Sequence, residues 1–225
     1  MKFYSIAIDG PSGAGKSTLA RKMAAELNFL YVDTGAIYRT VALHVKRAGI
    51  DYADRAKIVA ALDELSIRMA YGEDGLQRMY LQNEDVTDDI RLHEISQGAS
   101  MVAAIPEVRA FLLDYQRKMA REQNVVMDGR DIGTVVLPDA DVKIYLTASA
   151  EIRARRRALE LEQRGQKVDF SAVLHDVQQR DEQDRTRPVA PLRQAEDAVL
   201  LDTSGMNLEE SLQAMLKIAR EGLPE

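Results

Sequence analysis

Residues Gly10-Pro-Ser-Gly-Ala-Gly-Lys16-Ser17 constrain this chain more than any other segment. They read G-x-x-x-x-G-K-S and follow directly on the apolar run Phe3–Ile8. Thr18 and a helix-forming stretch, Leu19–Leu27, come next. A strand, a glycine-rich turn and a helix in that order are the context of a phosphate-binding loop. Glycines let the turn tighten and let backbone N–H groups of Gly10, Pro11, Ser12, Gly13, Ala14 and Gly15, proline apart, converge on phosphate oxygens. The helix starting near Lys16 adds its positive end. Lys16 is placed to reach β- and γ-phosphates, and the Ser17 hydroxyl to bind Mg²⁺. The bland alternative is a surface turn with a chance Lys-Ser, which the flanking strand and helix disfavour.

Such a loop belongs in an alternating α/β chain, and the rest of the sequence alternates. Apolar runs at Phe3–Ile8, Phe29–Val32, Val125–Met127, Val142–Leu146 and Ala198–Leu201 read as buried strands, and helical sequence separates most of them. The pattern predicts a five-stranded parallel sheet covered by helices. The runs end at Asp9, Asp33, Asp128, Thr147 and Asp202. Ligands of open α/β sheets bind at the carboxyl ends of the strands, so some of these groups suit chemistry and others a helix cap.

Two stretches break the alternation. From about Thr34 to Ala104, helices at Ala36–Lys46 and Ala53–Leu65 precede two alternating runs, Ser66–Tyr71 and Leu76–Leu81, joined at Gly72-Glu-Asp-Gly75. With a third short strand at Asn83–Val86, they predict an inserted lobe holding a small antiparallel sheet. The second stretch, Glu151–Arg187, is basic and helical, with a break near Arg164–Lys167, and reads as a hinged flap. Asn207-Leu-Glu-Glu210 resembles a capping box that opens a C-terminal scaffold helix.

Bulk properties limit the partners. The 225 residues carry a net charge of −6 and no cysteine, so disulfides, thiolate metal sites and cysteine nucleophiles are excluded. Acidity and the absence of tryptophan argue against a nucleic-acid binder. No apolar run approaches a membrane span and no signal peptide fits, so a cytoplasmic protein is expected. No apolar heptad seam is visible, and a monomer is expected.

Three charged constellations stand out. On the helix expected at Phe170–Asp184, the stripe Val173, Val177, Arg180, Asp184, Arg187 begins apolar and turns charged on one face. These charges either pair with one another or face an anionic ligand. Arg153, Arg156 and Arg157 share a second face, either solvated and paired with Glu160 and Glu162, or gathered for a polyphosphate that relieves their repulsion. Asp128-Gly-Arg-Asp131 ends a buried strand. Either it is a polar turn, or Asp128 holds Mg²⁺ through water or orients an acceptor phosphate that Arg130 grips.

Taken together, Gly10–Ser17, Asp33-Thr-Gly-Ala-Ile-Tyr-Arg39, Asp128-Gly-Arg-Asp-Ile-Gly-Thr134 and Arg180-Asp-Glu-Gln-Asp-Arg-Thr-Arg187 resemble the bacterial cytidylate (CMP) kinases. These belong to the nucleoside monophosphate kinases of the P-loop NTPase class, and the match in order and spacing covers essentially the whole chain. The phosphate loop alone names a superfamily; the second and third segments together are far more specific. The lobe near residues 66–90 is similar to the enlarged monophosphate-binding lobe of the bacterial enzymes.

The resemblance implies transfer of the ATP γ-phosphoryl group to CMP or dCMP, with Mg²⁺. It implies one P-loop kinase domain: a core at about 1–33, 104–150 and 188–225, a monophosphate lobe at about 34–103 and a lid at about 151–187. Lys16, Asp128, Arg130 and Arg180 would be the catalytic groups. Arg39, Arg130 and Arg180 would bind the CMP phosphate, and Thr34, Ser100, Arg109 and Asp131 would surround the cytosine. Asp184 and Arg187 would lie at the sugar and base side, and Arg153, Arg156 and Arg157 near the ATP phosphates together with residues 10–18. Thr34 stands where a serine is common and keeps the hydroxyl; Gln183 stands where an arginine can occur, and no role follows for it. The rival acceptors are UMP, AMP or a shikimate-like alcohol. A GTPase-like switch is disfavoured because no Asn-Lys-x-Asp guanine signature is present. A non-catalytic nucleotide sensor is disfavoured by the intact Lys16, Ser17 and arginine groups.

Overall fold

The computed structural model describes residues 2–224 apart from 74 and 164, and the backbone alone of residue 93. Asp74, in the expected hairpin turn, and Arg164, at the expected break in the flap, lie outside the described residues. The chain divides into two compact units, Met1–Tyr31 with Glu122–Glu225, and Val32–Arg121.

The first unit is built on a five-stranded sheet in the order β2-β6-β1-β7-β8, with strands β1 (Ser5–Asp9), β2 (Leu30–Asp33), β6 (Val125–Gly129), β7 (Val142–Thr147) and β8 (Val199–Asp202). The central strand β1 pairs in parallel with β6 and β7, and β7 pairs in parallel with β8. This is the doubly covered sheet that the apolar runs predict. Several strand ends shift by one or two residues from the expected runs, as at the start of β1. Phe3 and Tyr4 precede β1 instead of opening it, because the Tyr4 N–H donates to the Asn124 side chain at 2.8 Å and Phe3 is exposed.

Helices α1 (Lys16–Leu27) and α8 (Leu208–Gly222) pack on the sheet around Ile6, Ile8, Met23, Ile144, Leu146 and Met215. Each such side chain contributes about 1.5–3 kcal/mol on burial. Helices α6 (Ala150–Gln163) and α7 (Phe170–Thr186) complete the unit, α7 running two residues beyond its expected end. α8 starts with the expected capping box: Asn207 accepts the Glu210 N–H at 2.9 Å, and the Glu210 carboxylate accepts the Asn207 N–H at 2.8 Å.

The second unit opens with α2 (Thr34–Arg47), capped by the Asp33 side chain. The helix expected at Ala53–Leu65 is shorter: α3 runs over Arg55–Ala61, where Asp54 caps it, and a 3₁₀ turn follows at Leu62–Glu64. Strands β3 (Ile67–Tyr71), β4 (Gln77–Leu81) and β5 (Glu84–Asp85) form the predicted antiparallel sheet. The β4–β5 turn places Gln82 and Asn83 at φ of 50° and 71°, the pair of positive values that suits a tight hairpin. Two helices had no counterpart in the sequence reading of this region: α4 (His93–Val102) and α5 (Pro106–Glu122). Among the described residues, no helix is long and apolar enough to cross a membrane.

Replacing Asn207 with Ala removes the cap that anchors α8 against the sheet. The expected loss is about 1 kcal/mol, a fall of roughly 2–4 °C in thermal midpoint. A melting curve of Asn207→Ala beside the parent chain checks this, and an unchanged midpoint counts against the cap.

Candidate active site

The phosphate loop leaves β1 at Gly10, whose φ is +151°. A Cβ there would lie 1.9 Å from the Leu146 carbonyl oxygen on β7, so only glycine lets the chain turn off the sheet at this point. α1 then begins at Lys16 with no side chain capping its first turn and no acidic residue in it. Those N–H groups therefore remain available to an anion. Lys16 is buried, and its Nζ donates to the Pro11 carbonyl at 2.7 Å. Burial, and after it the Arg130 charge, push its ammonium down to about 7. An arriving phosphate has the opposite effect and favours the charged form.

Asp128 at the end of β6 is fixed on both oxygens. Ser17 Oγ donates to one at 3.0 Å and the Tyr31 hydroxyl to the other at 2.9 Å. Ser17 and Asp128 thus offer neighbouring hard oxygen donors beside the phosphate loop. Mg²⁺ is held in such sites by one or two protein oxygens, with substrate phosphates and water completing the shell, so the donor set fits.

Past Gly129, Arg130 and Asp131 carry charge into the same region. Arg130 Nε donates to the Asp184 carboxylate of α7 at 2.6 Å. Burial pushes Asp184 up, yet Arg130, with Arg180 and Arg187 behind it, holds it below the usual carboxylate range. Arg187 donates to buried Asp131 at 3.3 Å. The charged stripe of α7 and its C-terminal cap therefore pair across to the Asp128–Asp131 loop, through Asp184 to Arg130 and Arg187 to Asp131. The outward Arg185 pairs locally, with Glu182 at 3.1 Å.

The three arginines expected on one face of α6 take different partners. Arg153 is buried and forks onto Asp181 of α7 at 2.9 and 2.5 Å, while also donating to the carbonyls of Ser12 at 3.0 Å and Ala148 at 2.8 Å. Arg156 donates to the carbonyls of Ala14 and Thr203 at 3.2 and 3.1 Å. Arg157 is half-exposed and pairs with Glu160 at 3.1 Å. Two of the three thus touch the phosphate loop itself, and Asp181 and Glu160 relieve their mutual repulsion.

In the second unit, Asp33 organises the start of α2. Its Oδ1 accepts the Ala36 N–H and its Oδ2 accepts from Arg39 Nη2, both at 2.9 Å. Thr34, buried, is the first residue of that helix. Buried Gln77 from β4 accepts the Asp33 N–H at 2.8 Å and donates to its carbonyl at 3.4 Å. Arg109 on α5 is buried, donates to the Ala103 carbonyl at 3.2 Å and lies 5.6 Å from the Tyr38 ring centre. Ser100 is half-buried on α4. Sequence reading gave no role to Tyr31, Gln77, Asp181 or Asp9. Asp9 and Asp181 carried a signal, a polar strand end and a neighbour of the arginine stripe; Tyr31 and Gln77 carried none.

The cytidylate kinase family model matches residues 6–221. The chain belongs to the cytidylate kinase family. It is 49% identical over 218 residues to a cytidylate kinase of Caldicellulosiruptor bescii, covering 97% of this chain and 96% of that one. A cytidylate kinase of Carboxydothermus hydrogenoformans is also 49% identical, over 95% and 96% of the two chains, and one of Pelotomaculum thermopropionicum is 47% identical over 99% of each. An uncharacterised protein of Eubacterium ventriosum shares the fold, with a TM-score of 0.51 at 15% identity over 95% and 96% of the two chains.

Asp9 gives a pH signature. Its oxygens accept the N–H groups of Ile132 and Gly133, each at 2.7 Å, but burial outweighs them and raises its pKa from 3.8 to about 6. The folded value exceeds the unfolded one, so the native state binds more protons between these values and stability falls as pH rises through that window. From pH 5 to pH 7 the parent chain should lose on the order of 1 kcal/mol relative to Asp9→Asn. Urea midpoints of both chains at the two pH values test this; parallel shifts would mean that Asp9 does not titrate there.

Proposed function

We propose that the chain transfers the γ-phosphoryl group of ATP to CMP or dCMP, giving ADP and CDP or dCDP. The observation that carries this reading is the charge cluster where β1 and β6 end. Lys16, the Ser17–Asp128 pair and the Arg130–Asp184 pair stand there beside one phosphate loop. Donor-side and acceptor-side charges thus meet at the carboxyl edge of one sheet, where ligands of such folds bind. Full-length identity with cytidylate kinases favours a pyrimidine monophosphate over AMP or a shikimate-like acceptor.

The residues divide the work as follows. Backbone N–H groups of residues 10–18 and Lys16 grip the ATP phosphates, and Arg153, Arg156 and Arg157 of the lid add positive charge there. Ser17 and Asp128 would hold Mg²⁺, which when bound neutralises charge on the phosphates. Arg39, Arg130 and Arg180 bind the acceptor phosphate. Thr34, Ser100, Arg109 and Asp131 read the cytosine, with Asp184 and Arg187 on the sugar and base side. The acceptor is already a phosphate oxygen, so no strong general base and no covalent intermediate on the protein is required. Positioning and charge neutralisation supply the rate, and closure over the substrates keeps water from consuming ATP.

Cytosine offers an amino donor at N4 and acceptors at N3 and O2, whereas uracil inverts N3 and position 4. A carboxylate facing N4 would meet an acceptor in uracil, leaving buried polar groups unpaired.

Lys16→Ala should lower turnover by on the order of 10³-fold or more with the circular dichroism spectrum unchanged. The check is a coupled ADP-release assay across CMP, dCMP, UMP and AMP. Near-parent activity in the variant, or a parent that prefers AMP, overturns the reading. Asp131→Ala should lose more kcat/KM with CMP than with UMP, by on the order of tenfold; equal losses would remove Asp131 from base reading.

A further inference from the structure

Asp9 closes β1 one residue before the phosphate loop and is 4% exposed. Its two carboxylate oxygens accept two consecutive backbone N–H groups, those of Ile132 and Gly133, at 2.7 Å each. These residues follow Asp131 directly and open a short π-helical turn, Ile132–Val136. The turn has no side-chain cap of its own, and Asp131 enters it at φ −148° and ψ 27°. A carboxylate from another strand thus does the capping.

The approach at Gly133 is close. A Cβ there would stand 3.4 Å from Asp9 Oδ2 and 3.1 Å from Lys143 Cδ. The Asp128–Asp131 loop is therefore pinned at both ends. Ser17 and Tyr31 hold Asp128 at its start, and Asp9 holds Ile132 and Gly133 just past its end. Arg130 and Asp131 lie between the pins.

We infer that Asp9 is a positioning residue: its carboxylate, clamped on the amides of Ile132 and Gly133, sets Arg130 and Asp131 for the acceptor nucleotide. The inference rests on the acceptor-side roles proposed above for those two residues. Because Asp9 and Gly10 are consecutive, the phosphate loop and the acceptor-side loop share one anchor on β1. The distance between donor and acceptor phosphates is then fixed by a single strand end, and in-line transfer is sensitive to small errors in that distance. The effect is directional. Lys16 donates to the Pro11 carbonyl and not to Asp9, and the Asp9 charge is the smallest of the influences on it, so acceptor use suffers before ATP use does. Asparagine places one acceptor oxygen and one amino group where two N–H groups need acceptors, so it breaks half of the clamp at nearly constant shape.

The test combines kinetics with amide resonances. In Asp9→Asn the Ile132 and Gly133 amide signals should move and exchange faster. KM for CMP should rise by on the order of tenfold to a hundredfold while KM for ATP stays within about twofold. Arg130→Ala serves as the reference for acceptor binding. If the two amides respond and CMP kinetics do not, although Arg130→Ala raises KM for CMP, Asp9 is scaffold alone and the inference is wrong. A joint rise of both KM values also overturns it, since that marks general damage. If Arg130→Ala leaves CMP kinetics untouched, the acceptor role of the loop fails and the inference falls with it. Should Asp9→Asn not fold, Asp9→Glu keeps the charge while its extra methylene displaces both acceptor oxygens from the clamped amides. A CMP-selective rise in that variant supports the inference, and its absence refutes it.

Discussion

Five ionisable side chains, four of them buried and Arg130 partly so, gather around the carboxyl ends of β1 and β6, and each requires a partner at fixed distance. The partners differ in kind. Asp9 has two backbone amides, Lys16 a loop carbonyl, Asp128 two hydroxyls, Arg130 the Asp184 carboxylate and Asp131 the Arg187 guanidinium. The rest of the first unit is arranged to bring these partners in. α7 is long enough to carry Asp184 and Arg187 to the sheet edge, and Gly10 turns the chain so closely under β7 that Lys16 curls back over its own loop.

Several of these partners are of a sort that a substrate replaces. A carbonyl oxygen on Lys16 is a weaker acceptor than a phosphate oxygen, and burial, with the Arg130 charge after it, holds the ammonium pKa down. Arg130 faces a carboxylate where a nucleotide phosphate offers equivalent geometry. On the proposed function, ligand binding would exchange one set of bonds for a stronger set, the desolvation cost of the charges having been met in folding.

Much of this was legible in the sequence, for physical reasons that can be named. Strands buried on both faces have to be apolar throughout, so β1, β6 and β7 announce themselves; their errors are confined to ends such as Tyr4, where a distant asparagine takes the ladder's first donor. The phosphate loop is legible because its glycines are steric necessities. The charged stripe of α7 is legible because a helix cannot turn a face from Val177 to Asp184 without purpose. The pairings are not legible. Arg130 and Asp184 are separated by 54 positions, and Arg153 and Asp181 by 28, so nothing local relates them. α3 is shorter than its helical run because Asp54 caps it from inside that run. α4 leaves a weak pattern because Gly98 interrupts it. That glycine makes room for a side chain: a Cβ would come within 2.2 Å of the Tyr52 ring, which would have to shift.

The bonds from Gln77 to the Asp33 peptide have a mechanical side. They join the first residue of a hairpin strand to the residue that caps α2 and tethers Arg39. Strand and helix start are geared together through one amide group. A sliding of the hairpin along its own axis would act on the Arg39 guanidinium within a few bond lengths.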